Sequence, residues 1–473
     1  VGLTPGHPFV FLIPATGEGP LTYSAESLPD GLTLDANTGV ISGAVAKEGT
    51  TLARLEVRGA RGKTTRTLKI VAAPHSLALT PPMGWNSWNI WGREVDEAKI
   101  RDAADCFVAS GLAAHGYQYI NIDDCWQGKR DENGEIQVNP DRFSDMKALG
   151  DYIHQKGLRF GLYTSPGPLT CADCEGSLGH EEQDVQTYAR WGVDYLKYDW
   201  CSYGVTGARL DRIQEPYRLV FAALDKCGRD IVLSMSEGGM GAPWTWAGEL
   251  GANLWRNTGD IHDDWGRISR IGSMHGDLGK YPRPGHWNDP DMLVVGQVKW
   301  RGQHPTRLTP DEQITHISLW ALIAAPLLIG CDLAKLDPFT LALLTNDEVL
   351  DIDQDPLGKA ASRVADQGID AMVRQLVQGT CLEGALGGPQ GPWGQIWARP
   401  LWDGALAVGL CNFGDSPGPF TADWATLGLH GPQPVRDLWL QKDLGVVDGS
   451  FTATVPPHGV VLVKIGKPST RDE

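Results

Sequence analysis

The sequence predicts a (β/α)8 barrel with a small β-sandwich before it and an antiparallel β domain after it. Three observations carry this. From Pro81 onward an amphipathic helix repeatedly ends at a glycine, and a few residues later an apolar strand runs out into polar residues. The pattern appears as Gly111 with YQYINIDD, Gly157 with LRFGLYT, Gly192 with VDYLKYD, Gly228 with IVLSMS and Gly251 with NLWRNTGD. With MGWNSW at the start, HWND near residue 287 and PLLIG at the end, the count reaches eight strands over about 250 residues, the size of such a barrel. A doubly wound sheet would instead want a Gly-rich dinucleotide loop after its first strand, and MGWNSW is followed by none.

Taken in order, residues 1–75 read as a β-sandwich module. Thr, Val, Leu and Gly alternate in short runs, with turn signals at Pro29-Asp30-Gly31 and Asn37-Thr38-Gly39. The run LPDGLTLDANTGVISG (Leu28–Gly43) resembles the Ig-like modules appended to bacterial surface and secreted enzymes. It shows no carboxylate pair and no aromatic platform, so a structural role is expected. Pro74–Thr80 is the linker, and the barrel is assigned to residues 81–356. In its first helix Ile100, Ala103, Ala104, Phe107 and Val108 form the expected inward stripe. The segment EEQDVQTYARW is a second helix with Gly192 as its stop signal, and the strand after it ends in Asp199. Thr309-Pro310-Asp311-Glu312 has the form of a capping box with proline at the first helical position. The apolar run Leu319–Gly330 is too short to span the ~30 Å of a bilayer core and contains Pro326, so it reads as a buried helix end and a strand. From 357 to 473, alternating segments such as ALAVGLCNF and GVVLVKI separated by Gly/Pro turns predict the antiparallel β domain, with a frayed end at Ser469–Glu473.

Composition narrows the partners. The formal charge of −17 over 473 residues argues against nucleic acid and anionic membrane, which both require clustered Lys and Arg. The 18 tryptophans suit a sugar ligand, because an indole face stacks on the apolar C–H face of a pyranose. Nine cysteines leave an odd one, and Cys171-Ala-Asp-Cys174 lacks the second half of a zinc site.

If the barrel is right, the residues at its strand ends face one pocket: Trp85, Trp88, Asp123, Asp124, Tyr163, Lys197, Asp199, Glu237, Arg256, Asp260, Asp289 and Asp291. Any one acid there could simply cap a helix, but carboxylates at successive strand ends form a constellation. They grip hydroxyls, the aromatics stack, and the set offers a pair of acids without a Ser or Cys nucleophile, a phosphate cradle or a metal cluster. Hydrolysis of a glycosidic bond by two carboxylates is the economical reading.

The segments MGWNSWN, NIDDCW, KYDWC, WRNTGDI and HWNDPDMLVVG resemble, in order, the signatures of glycoside hydrolase family 27, which contains α-galactosidases and α-N-acetylgalactosaminidases. The likeness runs from about Pro81 to Pro356 and extends through the C-terminal domain. It implies a barrel with a C-terminal antiparallel sandwich, a retaining mechanism without metal or cofactor, and an oligosaccharide or glycoconjugate substrate ending in α-galactose. By the same likeness Asp199 is the nucleophile and Asp260 the general acid/base. Lys197 is expected to compensate Asp199, and Trp255 and Ile261 to keep a proton on Asp260. Asp123 and Asp124 match the pair that grips O4 and O6, Trp88 the stacking platform, Tyr163 and Arg256 further donors, and Asp291 with Met292 the pocket wall. Asp289 is expected behind the pocket and Trp85 in the core.

Cys171 and Cys201 match the family's disulfide beside the nucleophile, with Cys174 and Cys125 as rivals for pairing. Arg93 occupies the position where Cys125 would find its usual partner. The bridge and the Ig-like module together imply a secreted or periplasmic bacterial protein. The sequence departs from the family after the fifth strand: in Ser236-Glu237-Gly238-Gly239-Met240 the Gly pair stands where the resemblance implies Trp-Pro after Cys-Glu. Without a gap, Glu237 and Met240 fall on the two positions that crowd C2 of the sugar, which favours galactose. The alternatives are an α-N-acetylgalactosaminidase, a β-L-arabinopyranosidase, an α-glucan hydrolase or a non-catalytic sugar-binding protein.

Overall fold

The computed structural model describes residues 1–204, 209–299, 302–368 and 392–466; the expected frayed end Ser469–Glu473 lies outside them. Eight parallel strands form the central sheet: β1 (Met83–Asn86), β2 (Tyr119–Asn121), β3 (Arg159–Thr164), β4 (Tyr195–Asp199), β5 (Val232–Ser236), β6 (Leu254–Arg256), β7 (Trp287–Asp289) and β8 (Leu327–Ile329). Their order is β7-β6-β5-β4-β3-β2-β1-β8. Leu293, just past β7, bridges Ile329 in parallel, donating to the Leu328 carbonyl at 2.8 Å and accepting from Gly330 at 3.0 Å. The barrel therefore closes between its last two strands. All eight segments read from the sequence form strands.

Between the strands in chain order run α1 (Glu97–Ala109), α2 (Met146–Gln155), α3 (Glu181–Trp191), α4 (Leu210–Leu224), α5 (Trp265–Met274) and α6 (Pro310–Leu322). Asp96 caps α1 by accepting the Lys99 N–H, and Ile100, Ala103, Ala104 and Phe107 are buried along one stripe. Val108 departs from expectation and is 46% exposed, because at 100° per residue it lies roughly 90° from the middle of that stripe. α3 ends as predicted at Gly192, whose φ of 84° is the left-handed value that glycine tolerates best. The capping box at Thr309 and Glu312 is present in both directions.

By compactness the chain divides into two units. One comprises Val1–Asp260, Gly285–Thr306 and Pro326–Thr345, and the other Ile261–Pro284, Arg307–Ala325 and Asn346–Glu473. The first holds the N-terminal module and all eight barrel strands. The module is a four-stranded and a three-stranded sheet around Phe9, Phe11, Leu32, Ile41, Leu55 and Ile70. It rests on the N-terminal ends of barrel strands. Asp230, just before β5, accepts the Thr4 N–H at 2.8 Å and pairs with His7 Nδ1 at 2.9 Å, while Arg159, the first residue of β3, donates to the Val10 carbonyl at 3.1 Å. The opposite, C-terminal strand ends remain for chemistry.

The second unit joins α5 and α6 to the C-terminal β domain, a six-stranded antiparallel sheet and a two-stranded one around Ile396, Val408, Leu410, Phe420 and Val463. No helix among the described residues is long and apolar enough to cross a membrane.

Candidate active site

Asp199 closes β4, and two hydrogen bonds fix its carboxylate. Tyr163 Oη donates to Oδ2 at 2.9 Å, and the Trp200 N–H donates to Oδ1 at 2.8 Å. Burial lifts Asp199 above the ordinary carboxylate range, opposed by the charge of Lys197 and by both hydrogen bonds. Lys197 shares its strand face with Asp199, yet its direct partner is Asp123, 2.8 Å from Nζ. Its ammonium also lies 5.1 Å from the centre of the Tyr163 ring. Burial would lower the Lys197 pKa, but Asp123, Asp199 and Asp291 outweigh it and hold the ammonium charged.

Asp123 is anchored a second time by Asn86 at the end of β1, whose amide donates to Oδ2 at 2.9 Å. Asn86 was not among the residues singled out from the sequence. Its signal was a polar residue ending the first strand within MGWN. Asp124 accepts the Cys125 N–H at 2.7 Å and the Ala172 N–H at 2.8 Å. Burial again raises its pKa; Asp123 adds to the rise, and hydrogen bonds from Thr170 and those two amides oppose it. Trp88, half-buried, opens a one-turn helix and donates its N–H to Asn86 Oδ1 at 2.8 Å. Trp85 turns into the core and donates from Nε1 to the Cys331 carbonyl.

A second group gathers around Arg256 at the end of β6. Its guanidinium reaches Asp291 at 2.8 Å, Asp260 at 3.2 Å and the Thr258 carbonyl at 3.1 Å, while Nε is buried without a hydrogen-bond partner among the described residues. Asp291 has a φ of 84°, a conformation few non-glycine residues adopt. It is held there by its own N–H to Asp289 and by the Met292 N–H to its carboxylate, both at 2.8 Å. Asp289 is buried and pushed up to about 6 despite Arg256. One of its carboxylate oxygens accepts the Asp291 N–H.

The surroundings of Asp260 differ from the expected apolar ones. Its side chain is 73% exposed and its partner is a cation. Trp255, adjacent to Arg256 on β6, points to the opposite face and is buried against Asn288, so it gives Asp260 no cover.

Glu237 lies past the end of β5, fully buried, and among the described residues neither carboxylate oxygen has a hydrogen-bond partner. Burial pushes it up to about 8, and the charge of Arg256 offsets this only in part. The next two residues explain the departure from the family pattern. Gly238 and Gly239 have φ of 69° and 90°, and a Cβ on Gly239 would lie 2.3 Å from the Asn257 carbonyl oxygen. A tryptophan followed by proline cannot follow this backbone. Met240 is half-buried.

The Cys171–Cys201 disulfide is formed, with Cα atoms 5.1 Å apart, and Cys125 and Cys174 are free. Cys201 is tied again through Ser165, whose hydroxyl donates to the Cys201 carbonyl and accepts its N–H, both at 2.9 Å. The predicted residues thus form two linked networks, Asp123–Lys197 with Tyr163–Asp199, and Asp260–Arg256–Asp291–Asp289. Glu237 is near enough to feel the charge of both Asp199 and Arg256. The arrangement supplies carboxylates with defined donors and a cation beside each network, as hydroxyl recognition and two-carboxylate hydrolysis require.

Comparison with known proteins agrees with this chemistry. The family model described as Alpha galactosidase A matches residues 80–355, the Alpha galactosidase C-terminal beta sandwich domain matches 393–465, and an Ig-domain model matches 1–73. Alpha-galactosidase 2 of Arabidopsis thaliana is 43% identical over 389 residues, 81% of this chain and 89% of that protein. A crystal structure from Bacteroides fragilis superposes with a TM-score of 0.89 at 36% identity, covering 99% of this chain and 96% of the other. The alpha-galactosidase of Saccharomyces cerevisiae solved with raffinose gives a TM-score of 0.73 at 27% identity, covering 84% of this chain and all of the other. With the family model spanning more than half of its length and the strand-end carboxylates in place, this chain belongs to the alpha-galactosidase A family.

Proposed function

We infer that this chain is a glycoside hydrolase that releases terminal α-linked galactose from oligosaccharides or glycoconjugates by double displacement. In this reading Asp199 attacks the anomeric carbon while Asp260 protonates the departing glycosidic oxygen. Asp260 then takes a proton from the water that hydrolyses the galactosyl–Asp199 ester. Asp123 and Asp124 accept hydroxyls of the sugar, Trp88 stacks on it, and Tyr163, Lys197, Arg256 and Asp291 hold the charges that the bound sugar meets.

The observation that carries the reading is the contrast between the two acids. Asp199 is fixed by Tyr163 and Trp200, as a nucleophile should be, and Asp260 reaches solvent, where leaving group and water arrive. Galactose is favoured over its 2-acetamido relative because Glu237 is a buried carboxyl with unused hydrogen-bonding capacity beside both networks. It is favoured over β-L-arabinopyranose because Asp123 and Asp124 are both present for a sugar that has a C6 hydroxymethyl group. The Cys171–Cys201 bridge favours an oxidising compartment, and so export.

The test is a panel of p-nitrophenyl glycosides: α-galactoside, α-N-acetylgalactosaminide, β-L-arabinopyranoside and α-glucoside. The α-galactoside should have the highest kcat/KM. Activity confined to any other member would overturn the choice of sugar, and none on the panel would overturn the enzyme.

A further inference from the structure

Cys171 and Cys174 stand three residues apart in one turn, but only Cys171 is bridged. The sulfur of Cys174, that of Cys125 and a carboxylate oxygen of Asp124 all lie within 4.8 Å of one another. Backbone contacts hold this meeting in place. Thr170 and Cys174 exchange two hydrogen bonds, at 2.9 and 3.0 Å, Asp124 accepts the Ala172 N–H at 2.8 Å, and Arg93 donates to the Ala172 carbonyl at 2.6 Å. The other free cysteines among the described residues are engaged elsewhere or enclosed. Cys106 faces Asp102, Cys227 faces the Arg229 carbonyl, and Cys331 and Cys411 are fully buried.

We propose that Cys125 and Cys174 are a thiol pair that closes reversibly into a second disulfide, joining the loops after β2, β3 and β4 in series through Cys125–Cys174 and Cys171–Cys201. The electron acceptor is a small-molecule disulfide such as oxidised glutathione. Cys174, the partly exposed sulfur, attacks it as the thiolate, forming a mixed disulfide and expelling one glutathione thiolate. Cys125 then loses its proton and attacks the Cys174 sulfur, expelling the second. One protein S–S bond forms, one glutathione S–S bond is lost, and two thiols become two glutathione thiols. The division of labour follows the local chemistry. The Cys125 thiol donates toward Cys174, which favours the thiolate on Cys174 and raises Cys125.

The bond would pin the backbone immediately after Asp124 to the turn whose Ala172 N–H that carboxylate already accepts. Its effect on sugar binding rests on the role proposed for Asp124; the bond itself does not.

The test uses the full chain equilibrated in graded ratios of oxidised to reduced glutathione, quenched with acid, alkylated in denaturant and mapped by mass spectrometry without reduction. In oxidising buffer the peptide containing Cys125 should be joined to that containing Cys174 with loss of two hydrogens, and reducing buffer should return both as alkylated thiols with Cys171–Cys201 retained. The C125S variant should trap glutathione on Cys174, and oxidation should raise the melting temperature of the parent but not of C125S. Two alkylated thiols at every ratio, or Cys174 joined to Cys171, overturns the proposal. Because the mapping is read on the parent chain, it stands whichever sugar is cleaved and whether or not the variant folds.

Discussion

Lys197 belongs to Asp123. Its Nζ lies 2.8 Å from Oδ2 of that residue, on a side chain 16% exposed against a carboxylate 3% exposed. Asp199, two residues further along the same strand face, is steadied by Tyr163 and by the Trp200 N–H. One ammonium therefore neutralises the acid proposed to bind sugar and acts on the proposed nucleophile only through space.

Removing that ammonium tests the division. Lys197→Met leaves Asp123 buried with, among the described residues, only Asn86 as a side-chain donor, and breaking a buried pair from one side costs about 3–5 kcal/mol. The melting temperature should fall clearly, and kcat/KM with it. The double variant Lys197→Met with Asp123→Asn removes both charges and should recover much of the stability without recovering activity. If the double variant is no more stable than Lys197→Met alone, the two charges do not compensate each other.

The two proposed catalytic acids make different predictions. Asp199→Asn should reduce kcat on the order of 10³-fold or more on every substrate, since the amide is nearly isosteric but a poor nucleophile. Asp260→Ala should retain more activity on p-nitrophenyl galactoside, whose leaving group scarcely needs a proton, than on a galactosyl oligosaccharide. In the parent enzyme, proton NMR of the first-formed sugar should show α-galactose. Initial β-galactose would mean inversion, and with it the loss of the covalent intermediate.

Much of this site could be read from the sequence because strand ends of a parallel barrel share one face. Asp199, Arg256 and Asp289 end strands, and their placement follows once strand ends are recognised. Pairings across the barrel were not legible. Lys197 and Asp123 are 74 residues apart, and the two-residue strand period that put Lys197 beside Asp199 says nothing about a neighbour two strands away. The same limit hid Asn86, and the exposure of Asp260, which lies in a loop beyond the strand. Gly238-Gly239 reads in sequence as slack. The structure shows two consecutive left-handed residues, one of them against the Asn257 carbonyl, so these glycines are demanded by the backbone path. The grouping of α5 and α6 with the C-terminal sheets depends on packing, to which helical periodicity is blind.

The N-terminal module meets the barrel at the ends of the strands away from these acids, through Thr4 and His7 on Asp230 and Val10 on Arg159. A structural role predicts that Asp230→Ala lowers the melting temperature by several degrees while kcat and KM on p-nitrophenyl galactoside stay within about two-fold. A changed KM at unchanged stability would instead connect the module to substrate.

Glu237 supplies a pH test whose sign is fixed by its surroundings. Burial raises its pKa from 4.5 to about 8, so the folded state keeps a proton that the unfolded chain gives up. The neutral form is compatible with folding at low pH. As pH rises through about 4.5 the unfolded chain ionises first, and the native state loses stability progressively until its own carboxyl ionises near 8. The full difference is on the order of 4–5 kcal/mol. Glu237→Gln keeps the shape and has no proton to lose, so it should match the parent at pH 4.5. It should then melt at an increasingly higher temperature relative to the parent up to about pH 8, with a constant gap beyond. A gap that does not change between pH 4.5 and 8 would mean that Glu237 ionises in the native state as it does in water, and that the enclosed carboxylic acid inferred beside the sugar is a carboxylate.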